Sequence, residues 1–466
     1  MRAGAAQVDI TPLADVHNTL EKNSLNQAHW RTAIDPLHAK ALVLESNGPL
    51  DAAQGRKLCI IAAGLNSIDN RCRDELRRAA AERCGIEPEA VMCHAHQDHS
   101  CPQLGYAKKT TEFYRKPAAF WDELSAGDDR YRAYAMERII SAVEQANANL
   151  APAKLGAASG VEGRVAFNRR MIMKDGGVGM PLFIDRNQYR YMEGPIDPEL
   201  GVVCIRGESL QPLAMLLSYT AHPVNLHPKR FEYVISADWP GALAAEMKAV
   251  YGEACTPLVL NGPCGNINPW DPWDPDFVRD HKRMGRILAG TAEQVIDNIQ
   301  YTGDVELDWA VRRLQIPWRD EPGEELDSAL AFLEKHPEPF WADETHKAVD
   351  PEWTDAAMRV ETHLRAQNEK TYEYEIQVLR LGEVAIVGLP GEPFVEAALE
   401  IKLASPAAFT YVAHMPAWPD PCYLPTQRAF DNGGYETWSS VCRLARGALE
   451  TITAEAIDLL KEVFKA

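Results

Sequence analysis

Cys93-His94-Ala95-His96-Gln97-Asp98-His99 places three imidazoles within six residues at the end of an apolar run. Residues i and i+2 of a strand point to the same side, so His94 and His96 can address one metal ion or one substrate. Imidazole is the commonest neutral donor to zinc, and a nearby acid such as Asp98 can fix a ring tautomer. Such a cluster is hard to satisfy as core packing, and metal sites draw on clusters of this kind.

Three more positions carry chemistry together with an ordinary structural alternative. His222 lies in Ser218-Tyr219-Thr220-Ala221-His222-Pro223-Val224, where a histidine can also be a satisfied turn residue. Asp238, in Ser236-Ala237-Asp238-Trp239-Pro240-Gly241, brings a carboxylate to a helix start and reads foremost as an N-cap. Glu392 follows Gly388-Leu389-Pro390-Gly391 in a tight strand-to-helix turn. A glutamate in a helix's first turn is also favourable beside the positive end of the macrodipole.

The elements that must hold these groups are legible around them. Leu58–Ala63 is a continuous apolar run, Asp74–Cys84 is helical and closes at Gly85, and Val91–Cys93 is apolar again, which predicts a βαβ unit. The same grammar recurs where 214–217, 257–260 and 384–387 run into loops carrying His222, Asn261 and Glu392. Continuous apolar strands require cover on both faces, so the expected class is α/β, a mixed β-sheet core covered by helices. In such sheets ligands bind beyond the carboxyl ends of the strands.

Residues 305–378 differ. Val305, Leu307, Trp309 and Val311 alternate with polar residues, as do Tyr372, Tyr374, Ile376 and Val378, which predicts half-exposed antiparallel strands. The stretch 320–370 between them is rich in Glu, Asp, Pro and Trp and suits an inserted subdomain or lid. An amphipathic helix is expected within 441–464, and residues 1–466 read as one large domain.

Bulk properties narrow the partners. A formal charge of -19 repels phosphate backbones, so nucleic acid is excluded as a partner. No apolar run reaches the roughly 18 residues of a membrane span, and no apolar signal stretch follows Met1-Arg2-Ala3-Gly4, which points to a cytoplasmic protein. The ten cysteines contain no CxxC pair and read as reduced structural thiols.

In their order along the chain these blocks resemble the neutral (alkaline, non-lysosomal) ceramidase family. The opening Gly4-Ala5-Ala6-Gln7-Val8-Asp9-Ile10-Thr11-Pro12 looks like that family's start, and His94-Ala95-His96 looks like its histidine pair. Residues 218–224, 236–241, 261–269, Gly391-Glu392-Pro393-Phe394 and 423–436 follow in the same order. The resemblance implies a zinc-dependent hydrolase of an amide or related acyl bond, with one zinc held by His94, His222, Glu392 and Tyr423. It implies that His96 handles a proton beside the bound water and that Tyr435 hydrogen-bonds the oxyanion of a tetrahedral intermediate. Arg169, in Asn168-Arg169, would hold a polar head group of the substrate.

Departures from the family pattern bear on substrate. Asn268 stands where the family carries serine, Asn266-Ile267 replaces Asp-Val, and the family's C-terminal β-sandwich has no counterpart. Trp270, Trp273 and Trp418 flank the expected site and suit an acyl chain or a sugar ring, so the substrate is expected to be a small N-acyl compound or sugar derivative. Two other readings fit part of the pattern. His94-x-His96-x-Asp98-His99 also looks like the dinuclear motif of the metallo-β-lactamase fold, and Asn268 would suit a non-catalytic glycan- or small-ligand-binding relative.

Overall fold

The apolar runs become strands of three mixed sheets. A computed structural model describes residues 1–13, 32–46, 56–105, 129–181, 185–208, 211–226, 234–274, 276–320, 322–342, 350–417 and 420–465, plus the backbone of two short paired strands at 22–23 and 26–27. Trp418 and residues 343–349 of the suggested lid lie outside the described residues. No helix among the described residues is long and apolar enough to cross a membrane.

The first sheet runs in the order Val91–Ala95, Lys57–Ala63, His38–Glu45, Arg2–Asp9 and Ala151–Pro152. The second runs Thr256–Asn261, Pro212–Tyr219, Glu199–Arg206 and Lys154–Val161. The third runs Leu307–Pro317, Thr371–Leu381, Val384–Pro390 and Phe409–Met415. Each has one parallel pair at an edge: Lys57–Ala63 with Val91–Ala95, Pro212–Tyr219 with Thr256–Asn261, and Val384–Pro390 with Phe409–Met415. The other pairings within these sheets are antiparallel.

The three inner faces share one apolar core. Leu42, Ile60 and Met92 of the first sheet meet Val203, Leu216 and Leu258 of the second and Leu379, Ile386 and Tyr411 of the third. Helices cover the outer faces. Cys72, Leu76, Ile139 and Val143 pack on the first sheet, Leu243, Met247, Met284 and Leu288 on the second, and Ile401, Leu449, Ile452 and Leu459 on the third. Each fully buried Leu or Ile contributes roughly 1.5–3 kcal/mol of transfer free energy, so core and covers together hold the strand ends in place. The α/β reading, with mixed sheets covered by helices, is what the structure shows.

Several local expectations hold. The helix Asn70–Cys84 closes on Gly85 at φ 65°, whose N–H reaches the carbonyls of Ala80 and Ala81. Leu307–Pro317 pairs antiparallel with Thr371–Leu381, and the terminal helix is Ala448–Val463.

Other expectations need correcting. Glu392 is not in a helix's first turn: it pairs with Tyr423 in a short parallel bridge, and the helix begins at Val395. Asp238 is the first residue of its helix and not the N-cap, which is Ala237. At φ 43° its carboxylate accepts from Leu226 N–H, Asn225 Nδ2 and Trp239 N–H, tying the loop after His222 to the helix Asp238–Tyr251. In the 320–370 stretch, the helices Glu324–Lys335 and Pro351–Asn368 pack on one another through Leu326, Leu333, Trp353 and Val360. The second helix docks on residues 439–443, where Thr362 Oγ1 donates to the Ser439 carbonyl and Arg443 pairs with Glu361.

Gly201 lies where the second sheet packs against Tyr411 of the third: an added Cβ would stand 2.0 Å from the Tyr411 ring. Gly201→Ala is therefore expected to cost roughly 1–3 kcal/mol through overpacking. The expected readout is a lower thermal midpoint with an unchanged far-ultraviolet circular dichroism spectrum, and an unchanged midpoint would refute the close packing.

Candidate functional site

The carboxyl ends of the three parallel pairs converge, and Asn261, the last residue of its strand, ties them together. Its backbone N–H donates to His94 Nε2 at 3.0 Å, its side-chain Nδ2 donates to the His96 carbonyl at 3.0 Å, and the same Nδ2 lies 3.3 Å from His414 Nε2. Glycines at 262 and 265 let the turn after Asn261 pass close to Thr220 and to the backbone of Glu392.

His94 is fully buried, with Nδ1 2.8 Å from the His414 carbonyl. That contact makes Nδ1 the protonated nitrogen and leaves the Nε2 lone pair to accept from Asn261. Burial outweighs the His414 carbonyl and lowers the His94 pKa to about 4, so the ring stays neutral. Both nitrogens are thereby engaged by the backbone, and the structure does not present His94 as a donor beside His222 and Glu392.

His96 needs the same correction. Its ring centroid lies 5.9 Å from that of His94, and it lines a cavity of about 350 Å³ with Gln7, Asp35, His38 and Lys40. Asp98 does not hold its tautomer, because Oδ2 is 3.6 Å from His96 Nδ1. The strand alternation that should have aimed both rings together ends at Ala95, and Gln97 turns the chain at φ 69°. A non-glycine residue in that region is strained, and such strain concentrates at functional sites.

Beyond that turn the chain does reach the site. The Gln97 side chain hydrogen-bonds Glu392, and its Oε1 faces Cys264 Sγ at 3.7 Å. His99 donates its backbone N–H to the Pro223 carbonyl at 3.2 Å, and its ring centroid lies 5.7 Å from that of His222.

His222 and Glu392 are buried and in direct contact, Nε2 to Oε2, at 3.1 Å. His222 Nδ1 lies 2.5 Å from the Cys264 carbonyl and so carries the proton in the neutral ring. With Nδ1 protonated, the buried Nε2···Oε2 contact needs either a second proton on His222, which makes an ion pair, or a metal ion between the two atoms. The separation is close to the roughly 3.3 Å expected between two donors on a tetrahedral zinc with bonds of about 2.0–2.1 Å. Burial opposes ionisation of Glu392, but His222, Gln97 and the Arg169 charge hold its pKa at about 2.

The short parallel bridge places Tyr423 alongside Glu392. Burial raises the Tyr423 pKa against the pull of Arg169, which hydrogen-bonds its side chain. Arg169 Nε also donates to Glu436 Oε1 at 2.7 Å, and Nη1 to Asn268 Oδ1 at 3.3 Å. Arg170 Nη1 donates to the other Glu436 oxygen at 2.6 Å. Burial disfavours the Glu436 carboxylate, but the two guanidinium groups lower its pKa below the usual range. Glu436 thus balances the positive charge next to the donors. The Tyr435 ring stands edge-on to Tyr423 at 5.6 Å and is 38% exposed, with the half-exposed Trp438 at 5.4 Å from it.

His222, Glu392, Tyr423, Tyr435, Arg169 and Asn268 are thus gathered as sequence reasoning expected, and His94 and His96 are turned elsewhere. Among the described residues no three of His, Cys, Asp and Glu form a metal-binding group. Sequence reasoning missed Gln97 and Glu436, and it placed Asn261 and His414 at strand ends without giving either a role. For Asn261 the signal was present, as a polar residue ending an apolar strand beside Gly262.

No protein-family model and no curated protein matches the chain. Solved structures do. It is similar to neutral ceramidase from Pseudomonas aeruginosa, with TM-score 0.69 and 17% identity over 100% of this chain and 74% of that one. It is also similar to a ceramidase complexed with C2, with TM-score 0.70 and 17% identity over 99% of this chain and 75% of that one. At that identity the likeness establishes a shared fold, that of the neutral ceramidases.

Removing the carboxylate from Glu436 leaves Arg169 and Arg170 buried with less counter-charge. Glu436→Gln is expected to cost about 3–5 kcal/mol of stability. The denaturation midpoint checks this, and a shift below about 1 kcal/mol, as for a surface pair, would contradict the burial of this network.

Proposed function

We propose that the chain is a zinc-dependent hydrolase of an amide or related acyl bond, acting on a small N-acyl compound. The observation that carries this is the buried contact between His222 Nε2 and Glu392 Oε2 at 3.1 Å, with the His222 proton committed to Cys264. Tyr423 beside Glu392 supplies a third donor. When bound, a zinc ion there supplies Lewis-acid polarisation of a carbonyl and a water whose pKa falls to about 7. The names of the solved relatives, neutral ceramidase and ceramidase, support an amide as the bond cleaved.

The chain's own groups have separable roles. Arg169 holds the Tyr423 hydroxyl and is itself held by Glu436, which fixes the geometry of that side of the site. Tyr435 offers a hydroxyl to the oxygen that becomes negative in a tetrahedral intermediate. Trp438, half exposed at 51% and edge-on to Tyr435, gives an apolar rim suited to an acyl chain or a ring. None of the ten cysteines is in a disulfide among the described residues and all are buried, which supports a reducing compartment such as the cytoplasm.

The test is a zinc-reconstituted screen over N-acyl lipids, N-acyl amino acids and acetylated sugars. The expected result is about one zinc per chain, hydrolysis of an N-acyl member, loss with a chelator and recovery with zinc. Glu392→Gln should lose zinc and turnover together. A Glu392→Gln protein with unchanged zinc content would sink this assignment, as would a wild-type protein that binds no zinc.

A further inference from the structure

We propose that the cavity between the first sheet and the helix Asp238–Tyr251 is a second binding site, which takes a small organic carboxylate against Lys40 and His96. This cavity of about 350 Å³ is lined at its inner end by the buried Lys40, His96 and Gly64. Ala237, Ala242, Ala244 and Ala245 supply an apolar wall, and Lys248 and Lys282 stand toward solvent. His222, Glu392 and Tyr423 do not line it.

Two buried groups there lack an acceptor. Lys40 is 5% exposed, and among the described residues its polar partner is the Pro257 carbonyl at 2.8 Å, which takes up one of three ammonium N–H groups. A buried ammonium with no carboxylate in ion-pair reach calls for a counter-ion or the loss of its proton. Burial, with Lys248 adding to it, lowers the Lys40 pKa to about 7, and an anion beside it would favour the charged form. His96 is 2% exposed, and neither ring nitrogen makes a hydrogen bond of normal geometry, the Val259 carbonyl offering only a weak contact. An imidazole always has an N–H to give, so a bound carboxylate would satisfy this ring as well.

The acids nearby do not fill that place. Asp35 is engaged by Ser236, His281 and Lys282. Burial raises the Asp98 pKa well above the usual range, with Asp238 and Asp35 adding to it, which favours its uncharged form. In a chain of net charge -19, three ammonium groups line this cavity against the two carboxylates of Asp35 and Glu246. A cleft with an excess of positive charge concentrates small anions, and the alanine wall suits an organic body better than a bare inorganic ion.

Isothermal titration of the full chain with sodium butyrate tests this. Butyrate is expected to bind with a dissociation constant on the order of 1 mM or tighter. Uncharged butyramide should bind at least about tenfold more weakly, because a hydrogen bond to a charged partner contributes more than a neutral one. Lys40→Met should weaken butyrate at least about tenfold, and His96→Phe, which keeps a ring but loses the N–H, about three- to tenfold. Lys282→Ala, at the exposed mouth, should stay within about threefold of wild type. Where Lys40→Met fails to fold, His96→Phe decides. Equal binding of butyrate and butyramide, a folded Lys40→Met or His96→Phe that binds butyrate like wild type, inorganic phosphate binding tighter than butyrate, or no butyrate uptake at about 10 mM overturns the proposal. Each of these outcomes leaves the hydrolase reading intact.

Discussion

A buried imidazole nitrogen and a buried carboxylate oxygen 3.1 Å apart hold together only with a proton or a metal ion between them. The polypeptide holds them there from two sides. Cys264 fixes the His222 ring through Nδ1, while the bridge to Tyr423 fixes the backbone of Glu392. Charge near the pair is controlled as well: Arg169 stabilises the carboxylate, and Glu436 offsets Arg169. Everything else in the fold can be read as the support that keeps this contact dry and rigid.

That support has a simple plan. Three sheets share an inner apolar core, each is capped outside by helices, and each contributes one parallel pair. Parallel strands deliver their carboxyl ends to a common edge, so loops distant in sequence meet there without any loop having to cross the core. Asn261 then links the ends laterally, and Asp238 anchors the loop that follows His222. Because His222 and Glu392 both hang from short turns on packed strands, displacement of one sheet against another would be felt at the site.

Apolar runs and caps made the architecture legible before any coordinates: the βαβ unit closing at Gly85, the alternating pair around 307–381 and the terminal helix were all readable from residue pattern. His222, Glu392 and Tyr423 were legible only as separate motifs, since nothing local to them says that they meet. The histidine cluster misled for a specific reason. Period-two alternation holds only while the chain remains a strand, and the left-handed residue that ends it is a glutamine rather than the glycine or asparagine that would have announced a turn. Glu392 misled differently, because Pro393 beside a turn reads as a helix start, whereas pairing with Tyr423 is a long-range event.

The substrate side follows from the rim. Tyr435 and Trp438 are exposed aromatic groups, whereas His222, Glu392 and Tyr423 are buried, so a ligand with an apolar arm and a polar head matches the gradient. Asn268, held by Arg169, is buried and belongs to the network beside Tyr423.

The most direct test is an anomalous difference map at the zinc edge from crystals of the zinc-loaded protein. The account requires a peak about 2.0–2.2 Å from both His222 Nε2 and Glu392 Oε2. A peak held instead by His94 and His96, or none between His222 and Glu392, would contradict it.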